Sequence, residues 1–472
     1  EITTRLVGSE MCIRDRNRIA GRSKFVLILA AVLVLGLVVF SGEYLFQARD
    51  WVVFPGSPHV YRGSNLNCGV VTDRTGTVLL DATDGRVYSA DRTLRMATLH
   101  LLGDREGYIS APAVSEYSSQ MVGFDLLNGV YSTSGTGGTA VLTISAKAQE
   151  AALEALDGRK GVVAVYNYKT GEILCAVSSP TYDPDDVPDL EDDSTGEYDG
   201  VYVNRMTQSA YVPGSIFKVV TTAAALSEID DIESQTFLCE GSYWVGGDEV
   251  VCEGTHGEVT IRQALMHSCN SAFAQIALEL GPETLMKYAE QFQITEPLSF
   301  DGITTAAGHL DLTDAADVNV AWGGIGQYTD TVNPCRFMTF MGQIAGGGTA
   351  AEPYLVASAS SGMLSRYTAR TRQTDRVMST AVAATLQEMM HYNVVNNYGE
   401  ESFPDLYVCA KTGTAEVGGG LEPNATFAGF TMDEDYPLAF VVIVENGGYG
   451  RSVCVPIISQ VLSACMEDGI SG

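Results

Sequence analysis

Three short polar strings in this 472-residue chain carry side chains that together support acyl transfer to a serine. In chain order they are Ser215-x-x-Lys218, Ser268-x-Asn270 and Lys411-Thr-Gly-Thr414. Of the seven lysines only Lys218 has a serine three residues before it, and Lys-Thr-Gly occurs once. A serine hydroxyl is a weak nucleophile at neutral pH and needs an adjacent base, which a lysine supplies once its pKa falls.

Ser215 and Lys218 are predicted at the start of a buried helix. The segment 211–214 contains Pro-Gly and ends an extended stretch, and the apolar stretch 219–226 follows. Residues three apart share one helix face, so Lys218 would lie beside the Ser215 hydroxyl. Burial and a second cation, for which Lys411 is the candidate, would both lower the pKa of Lys218. For this string alone, an N-cap serine with an unrelated lysine is the alternative.

Ser268 and Asn270 are predicted in a loop between two helices, 260–267 and 271–280. Such a loop can present both side chains to a cleft. Ser268 could relay a proton to a leaving amine, and the Asn270 amide could hold a substrate peptide group as donor and acceptor. Taken alone, the string could equally be two ordinary polar loop residues.

Lys411 is predicted at the end of an apolar strand that begins at 406. Gly413 has no side chain, so a substrate backbone could approach closely and add beside the strand edge. The N–H groups of Thr414 and Ser215 could form an oxyanion hole. For this string alone, a strand that turns at a glycine is the alternative.

The elements around these strings predict an α+β fold in which a five-stranded antiparallel sheet is flanked by helices. The predicted strands are 161–167, 172–178, 406–412, 426–431 and 438–444, with helices at 143–156 and 455–466. The region 44–140 is predicted to form an N-terminal β-rich pedestal, with a hairpin over 69–80 that turns at Thr75-Gly76. Residues 141–472 would form the catalytic domain.

An uninterrupted apolar run near the N-terminus predicts one transmembrane helix over residues 25–43. Basic residues precede it, so residues 1–24 would be cytoplasmic and the rest extracytoplasmic. A cleaved signal peptide is the alternative. Residues 1–16 show no apolar period and are suspected not to be a native start. The net charge is −30, and the surplus of three positive charges in 1–24 leaves −33 for the remainder, which disfavours nucleic-acid binding.

Ten cysteines are scattered along the chain without a C-x-x-C pair, so neither a metal nor another cofactor is expected. Cys239 and Cys252 bracket a glycine-rich segment that reads as a hairpin. A disulfide between them is compatible with export, and the sequence leaves that pairing open.

Together these features resemble the class B penicillin-binding proteins, which are monofunctional and membrane-anchored. The resemblance covers about residues 20–465 and includes more than the three strings. Further matching segments are Gly69–Leu80, Thr170–Leu174, Ser179–Pro184, Asn204-Arg205, Tyr211–Ser215, His256-Gly257, Gly324–Gln327 and Phe427–Phe430.

The resemblance implies a peptidoglycan D,D-transpeptidase. Ser215 would be acylated by a D-alanyl-D-alanine stem peptide with Lys218 as general base. Ser268 would pass the proton between Lys218 and Lys411, and Asn270 would position the stem peptide. In the Lys411–Thr414 string, Thr412, Gly413 and Thr414 would bind substrate, the two threonines at its terminal carboxylate. β-Lactams would acylate the same serine.

The resemblance also implies a partner enzyme, and it leaves other functions open. Only about 100 residues separate the anchor from Thr143, and domains usually need ~100–200, so the glycosyltransferase domain of bifunctional relatives would not fit there. The resemblance therefore implies that a separate membrane protein, a SEDS-type glycosyltransferase, is the polymerase. A β-lactamase, a β-lactam sensor, a D,D-carboxypeptidase and a non-enzymatic scaffold share the strings. The sequence does not decide the stem-peptide chemistry, the acyl acceptor, or whether the protein serves division or elongation.

Overall fold

A computed structural model describes residues 2–54, 60–62, 65–122, 137–190, 193–361 and 364–469. Helix α1, Ile2–Val52, opens the chain. Its stretch Cys12–Gln47 is long and apolar enough to cross a membrane, and its large apolar side chains are exposed. The helix is longer at both ends than the predicted segment 25–43.

The N-terminal region contains short strands and short helices around a common core. Its strands are β1 Tyr61–Arg62, β2 Asn65–Leu66, β3 Val70–Thr72, β4 Val78–Asp81, β5 Val87–Tyr88 and β6 Thr139–Leu142. Its helices are α2 Arg92–Ala97, α3 Leu99–Leu102, α4 Pro112–Glu116 and α5 Ser118–Met121. The predicted hairpin is confirmed, because β3 and β4 pair antiparallel with Val71 opposite Leu80.

The second region begins after β6. Its helices are α6 Ala146–Leu156, α7 Arg205–Gln208, α8 Lys218–Glu228, α9 Ile261–Met266, α10 Asn270–Gln291, α11 Asp317–Ile325, α12 Pro334–Ala345, α13 Thr380–Asn393 and α14 Gly450–Glu467. Its strands are β7 Gly161–Asn167, β8 Ile173–Ser179, β9 Phe237–Cys239, β10 Ser242–Val245, β11 Asp248–Val251, β12 Gly257–Val259, β13 Ser299–Phe300, β14 Ile303–Thr304, β15 Val356–Ser361, β16 Leu364–Thr368, β17 Val408–Ala415, β18 Asn424–Thr431 and β19 Leu438–Val444.

The predicted five-stranded antiparallel sheet is confirmed, with strand order β17-β18-β19-β7-β8. Strands β7, β8, β18 and β19 are buried along their whole length, because helices cover both faces. Helices α6 and α14 cover one face and α12 the other. The first strand, β17, pairs only with β18 within this sheet, so its second edge is open toward the turn that carries Ser215.

A second sheet joins the two halves of the chain, with strand order β16-β15-β6-β3-β4-β5. Strands β15 and β16 belong to the predicted catalytic domain, 141–472, and β6 crosses the predicted domain boundary at residue 140. The sheet of the predicted pedestal is therefore not drawn from 44–140 alone. The domain division at 140 stays a prediction.

The predicted element ends shift by a few residues where tertiary pairing extends an element. Strand β17 continues to Ala415, because every residue of the strand up to that point pairs with a residue of β18. The Lys411–Thr414 string therefore lies inside the strand and not at its end, which corrects the prediction. Helix α10 continues past the predicted end at 280, with a kink at Gly281 where φ is +76°.

Candidate active site

Ser215 lies in a 3-10 turn, Gly214–Phe217, that leads directly into α8. Gly214 has φ +57°, and a Cβ there would lie 2.6 Å from the Thr414 carbonyl oxygen. Glycine therefore allows the turn to pack against the edge of β17. This contact sets the nucleophile beside the strand that carries the third string.

Lys218 lies at the first position of α8 and is fully buried. Its Nζ is 3.0 Å from Ser215 Oγ, which confirms that the two side chains share a helix face. The same nitrogen lies 2.7 Å from the Ser268 carbonyl oxygen and 2.7 Å from Asn270 Oδ1. Both of those oxygens can only accept a hydrogen bond.

These contacts suit a neutral amine at Lys218. A neutral amine has two N–H groups and one lone pair, whereas an ammonium has three N–H groups and none. Donation to Ser268 O and to Asn270 Oδ1 uses both N–H groups. The lone pair then faces Ser215 Oγ and can accept its proton, which is the geometry that a general base needs.

Burial lowers the pKa of Lys218 to about 8, since the ammonium loses its hydration. The sequence predicted a second contribution from Lys411. In the structure the repulsion between the two lysines lowers the pKa of Lys411 instead. Burial first, and the charge of Lys218 second, hold that pKa well below its ordinary range. Two buried lysines therefore share an environment that disfavours two positive charges.

Ser268 lies between the two lysines. Helix α9 begins at a capping box formed by Thr260 and Gln263 and ends at Met266. Ser268 then has φ +54°, a left-handed conformation rare for serine, and the chain reverses into α10. Its Oγ lies 3.3 Å from Lys218 Nζ and 3.0 Å from Lys411 Nζ.

The Lys411–Thr414 string is held by a tyrosine that the motif analysis missed. The Thr412 N–H donates to the Tyr398 hydroxyl at 2.8 Å, and the Thr412 hydroxyl lies 2.9 Å from the same oxygen. Asn393 Nδ2 donates to that hydroxyl at 2.8 Å and to the Ala410 carbonyl at 2.7 Å. No linear spacing links these residues to β17, so only the fold reveals them.

A cleft of about 510 Å³ opens above these groups. It is lined by Ser215, Ser268, Asn270, Thr412, Gly413 and Thr414, with Trp322, Gln327 and Tyr449 on its walls. The two lysines lie behind this lining and are not exposed to solvent. All eight site residues predicted from the sequence thus meet at one cleft or directly beneath it.

Comparison with known proteins identifies the family to which these site residues belong. Residues 161–463 match the family described as the penicillin-binding protein transpeptidase domain. The chain belongs to this family. That span holds all three strings and the cleft that they line, and the resemblance to class B penicillin-binding proteins is confirmed.

Individual members of the family are similar over most of the chain. The peptidoglycan D,D-transpeptidase PbpA of Mycolicibacterium smegmatis is 30% identical over 71% of this chain and 73% of its own length. Penicillin-binding protein A from M. tuberculosis, solved as a penicillin G acyl-enzyme complex, is 26% identical with a TM-score of 0.73, covering 85% of this chain and 99% of that one. A D,D-transpeptidase domain from Eggerthella lenta gives a TM-score of 0.73 at 25% identity, covering 86% and 99%.

One group of side chains in this penicillin-binding protein was not anticipated. Cys239 and Cys252 do bracket a hairpin, β10–β11, but all ten cysteines, each in the described part of the chain, are free thiols. Both lie close to His256 and Cys269, with the four potential ligand atoms within 4.8 Å of one another. The absence of a C-x-x-C pair hid this cluster, although its four members lie within residues 239–269 and include the short spacing Cys252-x-x-x-His256.

Proposed function

We propose that this chain is a peptidoglycan D,D-transpeptidase whose acyl-enzyme forms on Ser215. The observation that carries the assignment is the 3.0 Å approach of a buried lysine nitrogen to the serine oxygen at the floor of an open cleft. With its pKa lowered to about 8, Lys218 has a neutral fraction near physiological pH that can take a proton, whereas an ordinary exposed lysine is almost entirely protonated there.

In acylation, Ser215 Oγ attacks the carbonyl carbon of the penultimate D-alanine of a stem peptide. The Oγ–C bond forms, the C–N bond to the terminal D-alanine breaks, and the serine proton moves to Lys218 Nζ. Ser268, in contact with both lysines, relays a proton to the departing amine. An amine of a second stem peptide then attacks the ester carbon: the new C–N bond forms, the C–Oγ bond breaks, and the proton lost by the amine returns to Ser215 Oγ, which leaves the cross-link.

The open edge of β17 supports the proposed mode of substrate binding. A stem peptide would add beside Gly413 as an extra strand. Asn270 would hold a peptide group, and the hydroxyls of Thr412 and Thr414 would bind the terminal carboxylate near Lys411. The N–H groups of Ser215 and Thr414 would stabilise the oxyanion, each such donor contributing about 10²–10³ in rate.

A β-lactam would follow the same first step, because its ring amide presents the same carbonyl to Ser215. The ring C–N bond opens, but the amine stays tethered and does not leave. The ester would therefore last far longer than a peptide acyl-enzyme. This lifetime separates a transpeptidase from a β-lactamase, which would release the product rapidly.

The direct test is mass spectrometry of the full chain in detergent after incubation with penicillin G, followed by peptide mapping. We expect one adduct, on the peptide that contains Ser215, with a lifetime of hours. An adduct on another residue would refute the nucleophile, and turnover within seconds would favour a β-lactamase. Supplying a D-alanyl-D-alanine peptide with and without an acceptor amine then separates transpeptidase from carboxypeptidase activity.

Membrane anchoring is supported by the apolar stretch of α1 and by the family. We propose that this helix stays uncleaved, with residues 1–24 in the cytoplasm and the catalytic domain, 141–472, outside. The pedestal, 44–140, would lie between them. Protease treatment of intact spheroplasts tests the topology: digestion should remove the catalytic domain and spare the N-terminus.

We also propose that a SEDS-type glycosyltransferase supplies glycan strands to this enzyme. The family resemblance motivates the pairing. Detergent co-purification of the tagged chain from its native membrane tests it, and the absence of any polymerase of that type after crosslinking would contradict it.

A further inference from the structure

Three thiols and one imidazole converge beside the active site, and none of them takes part in the proposed reaction. We call this group the Cys3His cluster; its members are Cys239, Cys252, His256 and Cys269. Cys239 ends β9, Cys252 directly follows β11, His256 directly precedes β12, and Cys269 caps α10. The three thiols are buried and the histidine is partly exposed.

Three of the six distances between ligand atoms in the cluster match those of a tetrahedral metal site, and all four atoms lie within 4.8 Å of one another. His256 Nδ1 lies 3.4 Å from Cys239 Sγ and 3.6 Å from Cys252 Sγ, and Cys252 Sγ lies 3.8 Å from Cys269 Sγ. With Zn–S bonds of about 2.3 Å and Zn–N bonds of about 2.0–2.1 Å, tetrahedral geometry requires separations of about 3.5 Å for S···N and about 3.8 Å for S···S. The four side chains therefore lie close enough together to bind one ion after small adjustments.

Backbone donors support thiolates at this place. The backbone N–H groups of Ser271, Gly254 and Asn270 lie within hydrogen-bonding reach of the Cys252 sulfur. The Ala272 N–H reaches Cys269 Sγ at 3.4 Å. Thiolates are the form that binds a metal, and amide N–H groups that point at the sulfur stabilise them.

We propose that the Cys3His cluster binds a Zn²⁺ ion that fixes the Ser268-Cys269-Asn270 turn. Three cysteines and one histidine form a closed tetrahedral set of the kind used by structural zinc sites, with no position left for water. The thiol protons leave to solvent when the metal binds. The earlier expectation of no metal rested on the absence of a C-x-x-C pair, which does not exclude this cluster because its members are spaced more widely.

The cluster is connected to the catalytic groups through very few bonds. Cys269 is the residue between Ser268 and Asn270. The Asn270 amide donates to the Val251 carbonyl at 2.9 Å, next to Cys252, and its oxygen accepts from Lys218 at 2.7 Å. An ion that joins Cys252 to Cys269 would therefore hold both ends of this path and keep Ser268 in its left-handed conformation.

A disulfide is the competing fate of these thiols in an exported protein. A disulfide would use only two of the three cysteines. It would leave the third thiol and His256 without a role. The observed convergence of all four side chains favours the metal. Non-reducing peptide mapping separates the two, and a disulfide between any two cluster cysteines in the native protein would overturn the proposal.

The test begins with the metal content of the full chain, purified in detergent with a reductant and exposed to Zn²⁺. We expect about one zinc per chain for the wild type. Cys252→Ala and His256→Ala should lose it, His256→Cys should keep it, and Cys454→Ala should behave as wild type, because Cys454 is a buried cysteine on α14 outside the cluster. Less than about a tenth of an equivalent in the wild type, or equal zinc in Cys252→Ala and Cys454→Ala, would refute the site.

The positioning role has a separate readout. Chelation of the zinc should slow penicillin acylation at least about tenfold, and added Zn²⁺ should restore it. His256→Cys should acylate faster than His256→Ala in the presence of zinc. Unchanged acylation after complete zinc removal would refute the positioning role. The metal content is measured without substrate, so a failure of Ser215 to react in the zinc-loaded chain would count against the proposed function and not against the metal site.

Discussion

Lys411 Nζ lies 3.0 Å from Ser268 Oγ, although 143 positions separate the two residues in the chain. Ser268 lines the cleft, Lys411 is buried behind that lining, and Lys218 completes the group from a third element. A proton that leaves Ser215 therefore has a continuous path of hydrogen-bonding atoms through the two lysines and Ser268.

Removal of Lys411 should impair acylation more than folding. We expect Lys411→Ala to slow penicillin acylation by about 10²–10⁴, since Ser268 loses its hydrogen-bonding partner and the site loses a cation. Stopped-flow acylation and thermal melting measure the two effects, with Lys287→Ala, an exposed lysine, as the matched control. A loss of activity fully explained by unfolded protein at the assay temperature would contradict a catalytic role.

Removal of the nucleophile should abolish covalent labelling without affecting the fold. Ser215→Ala deletes one oxygen, and we expect no acyl adduct with fluorescent penicillin while the melting temperature stays close to wild type. Ser234→Ala, which changes an exposed serine that does not line the cleft, should label normally. Residual labelling of Ser215→Ala at the wild-type rate would mean that another residue is acylated.

The pH dependence of acylation should follow Lys218. Burial lowers its pKa to about 8, so the neutral, proton-accepting fraction rises with pH and reaches one half near that value. We expect the acylation rate to increase up to tenfold per pH unit below about pH 8 and to level off above it. Lys411, Glu253, Cys252 and Cys269 face the same amine and influence the midpoint. A flat profile between about pH 6 and pH 9 would rule out this base.

The lowered pKa of Lys218 also makes the free energy of unfolding depend on pH. The unfolded chain holds the Lys218 proton up to about pH 10.4, whereas the folded chain releases it near pH 8. Between these values the unfolded state binds more protons, so the free energy of unfolding should increase with pH. Urea titrations of wild type and Lys218→Met across this window test it: the variant should lose part of the slope.

Tyr398→Phe should loosen the strand that carries Lys411. The change removes the oxygen that accepts from the Thr412 N–H and from Asn393, and an unsatisfied buried donor costs about 1–3 kcal/mol. We expect lower stability in urea together with slower acylation. Tyr407→Phe is the control, because that ring is 46% exposed and stacks on His391. Equal behaviour of the two variants would show that Tyr398 does not support the site.

The five-stranded sheet was predictable because its signals are local. Apolar runs such as 161–167 and 438–444 are bounded by turn residues, and the structure gives both strands these same bounds. The extension of β17 to Ala415 was not predictable, since polar residues such as Thr412 and Thr414 continue the strand only through pairing with β18. The recruitment of β15 and β16 into the other sheet is likewise a long-range pairing with no local mark.

By itself the sequence determined which chemistry the chain can perform. Ser215 and Lys218 are three residues apart, and helix geometry alone brings such side chains together. Only the tertiary structure shows that Ser268 meets Lys411, that Tyr398 holds Thr412, and that three cysteines and one histidine from four segments converge beside Asn270. These relationships depend on chain packing across many residues, and packing lowers the pKa of Lys218 by excluding water from its amine.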